Sequence, residues 1–310
     1  MRLRTCSYSI PAENWCVRWE CRLCGCCCWA VPRRRPTAPA CSGWLSTEAE
    51  MREIRFLFAL WKTNLLAAME YRTAFLMQIL GMMLNNSIYF LVWVVFFDRF
   101  KQVRGWGVDE MFLVFGISAL AFGIVMVCFG NARMLSEVIA RGNLDYYLSM
   151  PRPVLLHTLA SRSITSGMGD IAYGLLSFLF AGPRDVYTVL RFVVGGVLAT
   201  AVFLSFMVLM HSLSFWSGYV RAFVDLAVNA MLSFAIYPIT LFDGTARFLL
   251  FTIMPAALMG AVPAEFVRAF SWERLLELTA GALVLLALSI GVFYRGLRRY
   301  ESGSAWQTQV

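Results

Sequence analysis

Long apolar runs constrain this 310-residue chain more than any other feature of its sequence. Six segments approach the roughly 20 mostly apolar residues that an α-helix needs to cross a bilayer. Of all residues, 59% are hydrophobic and only 15% are charged, which is far from the balance of a soluble domain. The sequence therefore predicts an all-α polytopic membrane protein with six transmembrane helices. The predicted spans are 73–97, 111–130, 165–181, 192–216, 223–242 and 275–294.

Two further segments flank or interrupt these spans. Residues 52–71 mix apolar and charged side chains at roughly helical spacing, which predicts an interfacial amphipathic helix on the membrane surface. Residues 248–262 are too few for a full span and contain Pro255, with Pro263 directly after them. A seventh span there would place one basic end of the membrane domain outside, against the positive-inside rule. We therefore predict a re-entrant hairpin at 246–270, before the last span, and cytoplasmic termini.

The first 50 residues differ in kind from the rest and hold eight of the nine cysteines. Cys21 and Cys24 have the C-x-x-C spacing of zinc sites, but no second ligand pair follows at a finger-like distance. We interpret this head as sequence upstream of a translation start at Met51. The predicted divisions are a Cys-rich head at 1–50, a transmembrane domain at 51–300 and a flexible tail at 301–310.

Catalytic and nucleotide-binding motifs are absent from the sequence. The two histidines belong to no H-E-x-x-H pattern, and G-x-S-x-G does not occur. The only lysines, Lys62 and Lys101, do not follow a glycine as the phosphate-binding G-x-x-x-x-G-K-[ST] loop requires. The basic residues lie mostly at the ends of apolar runs, which is typical of membrane topology and not of nucleic-acid binding. We predict a non-enzymatic chain that binds no metal or cofactor.

Several polar residues interrupt the predicted spans. Asp170 stands among glycines that permit close helix approach, and a charge in lipid costs at least about 2.5 kcal/mol. Its side chain is therefore expected to face the bundle interior, either packed on a polar partner or lining a substrate path. Asp225 is expected to pair with Arg221, one turn before it. Interhelical hydrogen bonding and ligand contact stay open for the amides Asn85, Asn86 and Asn229.

The polar loop at 141–162 is the most specific segment of the chain. The residues before it predict a short amphipathic helix that ends at Gly142. Two adjacent tyrosines follow, and then Pro151 and Pro153, whose rings prevent the helix from continuing. A rigid aromatic segment of this kind suits docking to a soluble partner. Anchoring at lipid headgroups through the tyrosines is the alternative.

This loop and two other segments resemble the membrane permeases of ABC-2-type ABC transporters. The similar stretches, within about 51–299, are EVIARGNLDYYLSMPRPVLLHTLASR, EYRTAFLMQILGMMLNNSIYFLVWVVFF and IYPITLFDGTARFLLFTIMPAALMGAVPAEF. The resemblance implies a six-span exporter subunit of the cytoplasmic membrane that forms a homodimer or heterodimer and binds two cytoplasmic ATPase subunits, which would hold ATP and Mg²⁺. It assigns ATPase coupling to Glu137, Arg141, Gly142, Leu144, Asp145, Pro151, Arg152 and Pro153.

Two other functions compete with an ATP-driven exporter. A proton-coupled secondary transporter would use Asp170 as its proton site and would work without any ATPase. A membrane scaffold would have no transport path, so that substitutions at Asp170, Asn85 and Asn229 would affect only folding.

Overall fold

The computed structural model describes residues 39–181 and 185–300. Regular structure in these residues is helical throughout, which confirms the all-α prediction for them. The chain divides into two units at the Ala49–Glu50 bond. Most of the predicted Cys-rich head and the whole predicted tail lie outside the described residues, so neither prediction is tested.

The described helices follow one another with few long connections. The first four are α1 (Pro39–Ala68), α2 (Arg72–Phe100), α3 (Val108–Phe129) and α4 (Leu135–Ala140). The next five are α5 (Leu144–Leu148), α6 (Val154–Ala160), α7 (Gly167–Phe180), α8 (Val186–Ser212) and α9 (Ser214–Ser217). The last five are α10 (Arg221–Ala235), α11 (Gly244–Thr252), α12 (Ala256–Met259), α13 (Ala261–Arg268) and α14 (Trp272–Leu297).

Four of these helices, α2, α3, α8 and α14, are long and apolar enough to cross a membrane. They match the first, second, fourth and sixth predicted spans. The other two predicted spans correspond to α7, with 14 residues, and α10, with 15. At 1.5 Å per residue these helices are about 21–23 Å long, which is less than the roughly 30 Å of a hydrocarbon core. Four candidate spans are thus present in the described residues, and the count of six stays a prediction.

The segment predicted as a hairpin is broken into α11, α12 and α13. Pro255 separates α11 from α12, as expected for a residue that lacks a backbone N–H and fixes its own φ. The short helices α12 and α13 are largely buried, and they pack against α3 and α8. A broken backbone packed within the bundle is compatible with a re-entrant segment, whose depth in a membrane stays a prediction.

The centre of the bundle is the packing of α3 against α7 and α8. Two glycine pairs bring α3 and α7 together, with Gly116 opposite Gly174 and Gly123 opposite Gly167. A Cβ atom added at Gly123 would lie 2.6 Å from the Gly167 carbonyl oxygen, well inside van der Waals contact. The expectation that glycines around Asp170 allow close helix approach is confirmed.

One end of the bundle joins the connection between α2 and α3 to the broken segment. Arg104 pairs with Asp243 at 3.1 Å, and Arg268 pairs with Glu110 at 3.2 Å. With six spans and cytoplasmic termini, the predicted topology places residues 98–110 and 243–273 on the outer side of the membrane, and the structure brings these two segments together. The helix α4, directly before the loop at 141–162, packs against the end of α8 and the start of α10, which the helix order places at the opposite end.

Candidate functional site

A cavity of about 470 Å³ lies between α2, α3, α7 and α10. It brings together Asn85, Asp170 and Asn229, which the sequence singled out on three separate helices. The rest of its wall is mainly apolar and aromatic, with two serines. These lining residues are Met82, Asn86, Tyr89, Phe115, Ser118, Ala119, Phe122, Leu232, Ser233 and Ile236.

Asp170 is the charged residue of this wall. Its side chain is buried, with 2% of the residue exposed, and the Asn86 Nδ2 atom donates a hydrogen bond of 2.7 Å to its Oδ1 atom. Its Oδ2 atom has no hydrogen-bond partner among the described residues. The two roles left open for Asp170 therefore meet at one position, because it packs on a polar partner and also lines a cavity.

Three polar side chains that line the cavity are also exposed at the surface of the bundle. Asn85 lies on α2, and Asn229 and Ser233 lie on α10. The Ser233 hydroxyl donates to the Asn229 carbonyl oxygen one turn before it. Polar side chains within membrane helices are unfavourable in lipid and usually face protein or water. We call Asn85, Asn229 and Ser233 the polar face of α2 and α10.

The loop after α4 is built as a rigid turn. Gly142 has a φ of +75°, its N–H bonds to the Ile139 carbonyl, and the Asn143 N–H bonds to the Val138 carbonyl. This is a Schellman motif, which favours glycine because its φ is positive, and it confirms the predicted helix end. The following residue, Leu144, is fully buried and anchors α5.

The surface of α5 is apolar and exposed. Tyr146 is 59% exposed and Leu148 is 43% exposed, and Pro151 and Pro153 continue the exposed surface. Tyr147 instead turns inward, where its hydroxyl lies 3.0 Å from the Ser161 hydroxyl. We call Tyr146 and Leu148 the apolar knob.

Arg152 connects this loop to the amphipathic helix α1. Its Nη1 atom lies 3.0 Å from the Glu53 Oε2 atom, and its Cζ atom lies 3.7 Å from the centroid of the Phe56 ring. The Phe56 ring also meets the His157 imidazole edge-on at 5.2 Å. Burial lowers the pKa of His157, and the Arg152 guanidinium lowers it further, so that the imidazole is neutral at pH 7.

Two side chains on the next turns of α1 extend this contact. The Trp61 indole N–H donates to the Cys128 carbonyl oxygen at 2.7 Å, and the Asn64 amide donates to the Ser163 hydroxyl at 3.2 Å. The helix predicted to lie at the interface and the loop predicted to couple are thus packed together.

Glu137 connects the loop to α10. Its carboxylate pairs with Arg141 at 2.8 Å and also accepts a hydrogen bond from Arg221. Arg221 lies 3.6 Å from Asp225 as well, which confirms the pair predicted from their spacing. This network fixes the end of α4 against the start of α10.

Asp145 connects the loop to the end of α14. Tyr300 follows α14 by three residues and lies beside Asp145. Burial raises the pKa of the Tyr300 phenol to about 12, and the neighbouring Asp145 carboxylate is the second cause. The phenol is therefore neutral over the physiological pH range. The loop thus contacts the elements that begin and end the membrane domain as well as α10.

A family model described as ABC-2 family transporter protein matches residues 83–304, which is more than half of the chain. The chain belongs to the ABC-2 transporter family. The predicted resemblance is thereby confirmed, and with it a role as a membrane transport component. Comparison with curated proteins and with solved structures gives no significant match.

The ABC-2 match includes both the helices around the cavity and the loop. Within the loop, the predicted coupling residues differ in their exposure. Leu144 is buried, and Glu137 and Arg152 are bound to other parts of the chain, so these side chains hold the loop in place. Arg141, Pro151 and Pro153 are exposed. No group of three or more metal-ligating side chains occurs in the described part of this ABC-2 protein.

Sequence reasoning missed two features of the loop. It noted the tyrosine pair without separating the exposed Tyr146 from the inward Tyr147, and it did not single out Leu148. The short sequence LDYYL gave no periodic signal for this, because Leu144 is buried while Tyr146 and Leu148, two and four residues later, are exposed. The Glu53 partner of Arg152 had no local signal, because 99 residues separate the two.

Proposed function

We propose that this protein is the permease subunit of an ATP-driven ABC exporter of the cytoplasmic membrane. Membership of the ABC-2 family carries the proposal. The cavity at Asp170 supports a transport path, and the loop packed on α1 supports a site for an ATPase. ATP and Mg²⁺ would be bound by that partner and not by this chain.

The polar face of α2 and α10 supports a dimer as the working unit. Asn85 and Asn229 are exposed on a single subunit, where lipid would leave their side-chain amides unsatisfied. Contact with a second permease, identical or related, would cover them and would place two cavities beside a shared interface. The translocation path would then run between the subunits.

Coupling would act through the loop. ATP binding brings two ATPase subunits together, and a rigid loop attached to α1, α10 and α14 would transmit that movement to the transmembrane helices. The transport cycle is then a shift between two arrangements of the dimer, each favoured by a different nucleotide state. In this mechanism the apolar knob contacts the ATPase, and Glu137, Leu144 and Arg152 position it.

Substitution of the apolar knob tests this function directly. The double variant Tyr146→Ala, Leu148→Ala should reduce affinity for the ATPase roughly 100-fold, because tyrosine is among the residues that contribute most to binding at protein interfaces and the loss of Leu148 removes further apolar contact area. Affinity is measured by co-purification from native membranes and then by titration of the recovered ATPase. Tyr219→Ala is the matched control, since Tyr219 is another exposed tyrosine in a loop predicted to be cytoplasmic. Equal ATPase recovery with the double variant would contradict the coupling role of the knob.

The two lysines test the proposed orientation. Lys62 on α1 and Lys101 after α2 are both exposed and lie on opposite sides of the first span. With both termini in the cytoplasm and six spans, a membrane-impermeant amine reagent should label Lys101, but not Lys62, in intact cells or spheroplasts. A carboxy-terminal epitope should be protected in the same cells. Labelling of Lys62 before permeabilisation, or access to the epitope, would contradict this topology.

A proton-coupled transporter is the second candidate, favoured by the buried carboxylate of Asp170. It differs from the main proposal in needing no ATPase. Transport by the purified protein alone, driven by a pH gradient, would favour it.

A further inference from the structure

The cavity contains a negative group that the described protein does not neutralise. Asp170 is 2% exposed, and its Oδ2 atom has no hydrogen-bond partner among the described residues. Asn86 supplies a single neutral donor to the other oxygen. Among the described residues, no lysine, arginine or histidine belongs to the cavity wall. A buried carboxylate normally has a paired charge, so the missing partner requires an explanation.

A second copy of the chain would not supply the missing charge. The polar face that we propose as the dimer contact consists of α2 and α10. On α2, arginines occur only in the first turn, at Arg72, and in the last, at Arg99, while Arg221 begins α10. The middle turns of both helices carry no basic residue. A ligand is therefore the better source of the counter-charge.

The remaining wall favours a particular kind of cation. Tyr89, Phe115 and Phe122 line the cavity, and aromatic faces attract cations while also packing against apolar groups. The volume of about 470 Å³ lies within the range of pockets that bind drug-sized molecules. We propose that the cavity binds lipophilic organic cations, with Asp170 as the residue that selects for positive charge. This proposal rests on the proposed transport function and names the class of cargo.

The test compares two ions of closely similar shape and opposite charge. Binding of tetraphenylphosphonium and of tetraphenylborate to the full chain in lipid nanodiscs is measured by equilibrium dialysis, with empty nanodiscs as the blank. Saturable binding of the phosphonium, with tetraphenylborate at least roughly tenfold weaker, is expected. No saturable phosphonium binding, or equal binding of both ions, would overturn the proposal. This comparison uses the native sequence and does not depend on a variant that might misfold.

Three variants then locate the selectivity. Asp170→Asn keeps the size of the side chain and should weaken phosphonium binding roughly 10- to 100-fold, the effect of losing one charged contact. Asp170→Glu keeps the charge and should bind more tightly than Asp170→Asn. Asp225→Asn removes a carboxylate that pairs with Arg221 outside the cavity wall and should bind like the wild type. Unchanged binding by a folded Asp170→Asn variant would overturn the assignment.

These measurements need no ATPase, so they separate the two proposals. If the protein in nanodiscs selects cations but no ATPase co-purifies with it from native membranes, the cargo class stands and the exporter is contradicted. If an ATPase co-purifies but the permease shows no cation selectivity, the exporter stands and the cargo class is contradicted.

Discussion

Replacing Gly123 with leucine should prevent the protein from accumulating in a folded form. The added Cβ atom would lie 2.6 Å from the Gly167 carbonyl oxygen and 2.8 Å from the Ile171 backbone nitrogen. Backbone atoms of α7 cannot move aside as a flexible side chain can, so the two helices must separate. Overpacking costs 1–3 kcal/mol at ordinary core positions. We expect about 3 kcal/mol or more here, because the rest of a leucine side chain must also be accommodated.

Gly81→Leu is the matched control for this substitution. Gly81 also lies in a candidate membrane-spanning helix, α2, but nothing lies within 4 Å of a Cβ atom added there. The yield of monodisperse protein and its thermal transition in detergent should fall sharply for Gly123→Leu and change little for Gly81→Leu. Equal behaviour of the two variants would show that α3 and α7 do not pack this closely in the membrane.

Arg152→Ala should weaken the contact between α1 and the loop at 141–162. The substitution removes the charge-assisted contact with Glu53 and the packing of the guanidinium on Phe56. The Arg152 and Glu53 side chains are 29% and 30% exposed, so the contact is partly shielded from water. We expect a loss of about 2 kcal/mol in the free energy that holds α1 in place.

Limited digestion with trypsin measures this loss, because α1 contains Arg55 and Lys62. Cleavage that requires local opening should become roughly 30-fold faster in Arg152→Ala. Adding Glu53→Gln should accelerate it little further, since the partner is already lost. Arg191→Ala is the control, as that side chain bonds only within its own helix among the described residues. A cleavage rate unchanged by Arg152→Ala would mean that the pair does not hold α1.

The long helices were predictable because their signal is local. Apolar runs of 20 to 25 residues predicted α2, α3, α8 and α14, and Pro255 predicted a helix break. The lengths of α7 and α10 were overestimated, because the apolar runs at 165–181 and 223–242 continue beyond the ends of those helices. Hydropathy does not show where a backbone stops being helical inside an apolar run. The backbone leaves the helix in this way at Tyr237–Pro238, after α10.

The residues of the site could be predicted from the sequence, but their hydrogen-bond and ion-pair partners on other helices could not. A carboxylate and amides in apolar helices indicate an interior site wherever they occur, so Asp170, Asn85 and Asn229 could be named in advance. The hydrogen bond between Asp170 and Asn86 joins positions 84 residues apart. Such contacts depend on how helices are arranged, which a single sequence does not specify. The partner of Glu137 on α10 was missed for the same reason.

The mass of the assembly isolated from native membranes tests the central claim most directly. The protein is purified through a carboxy-terminal tag in mild detergent and analysed by native mass spectrometry, with the partners identified from their peptides. The account predicts two permease chains, identical or related, with two copies of a soluble ATPase that carries the G-x-x-x-x-G-K-[ST] loop. A folded, monodisperse permease that carries no ATPase would contradict it.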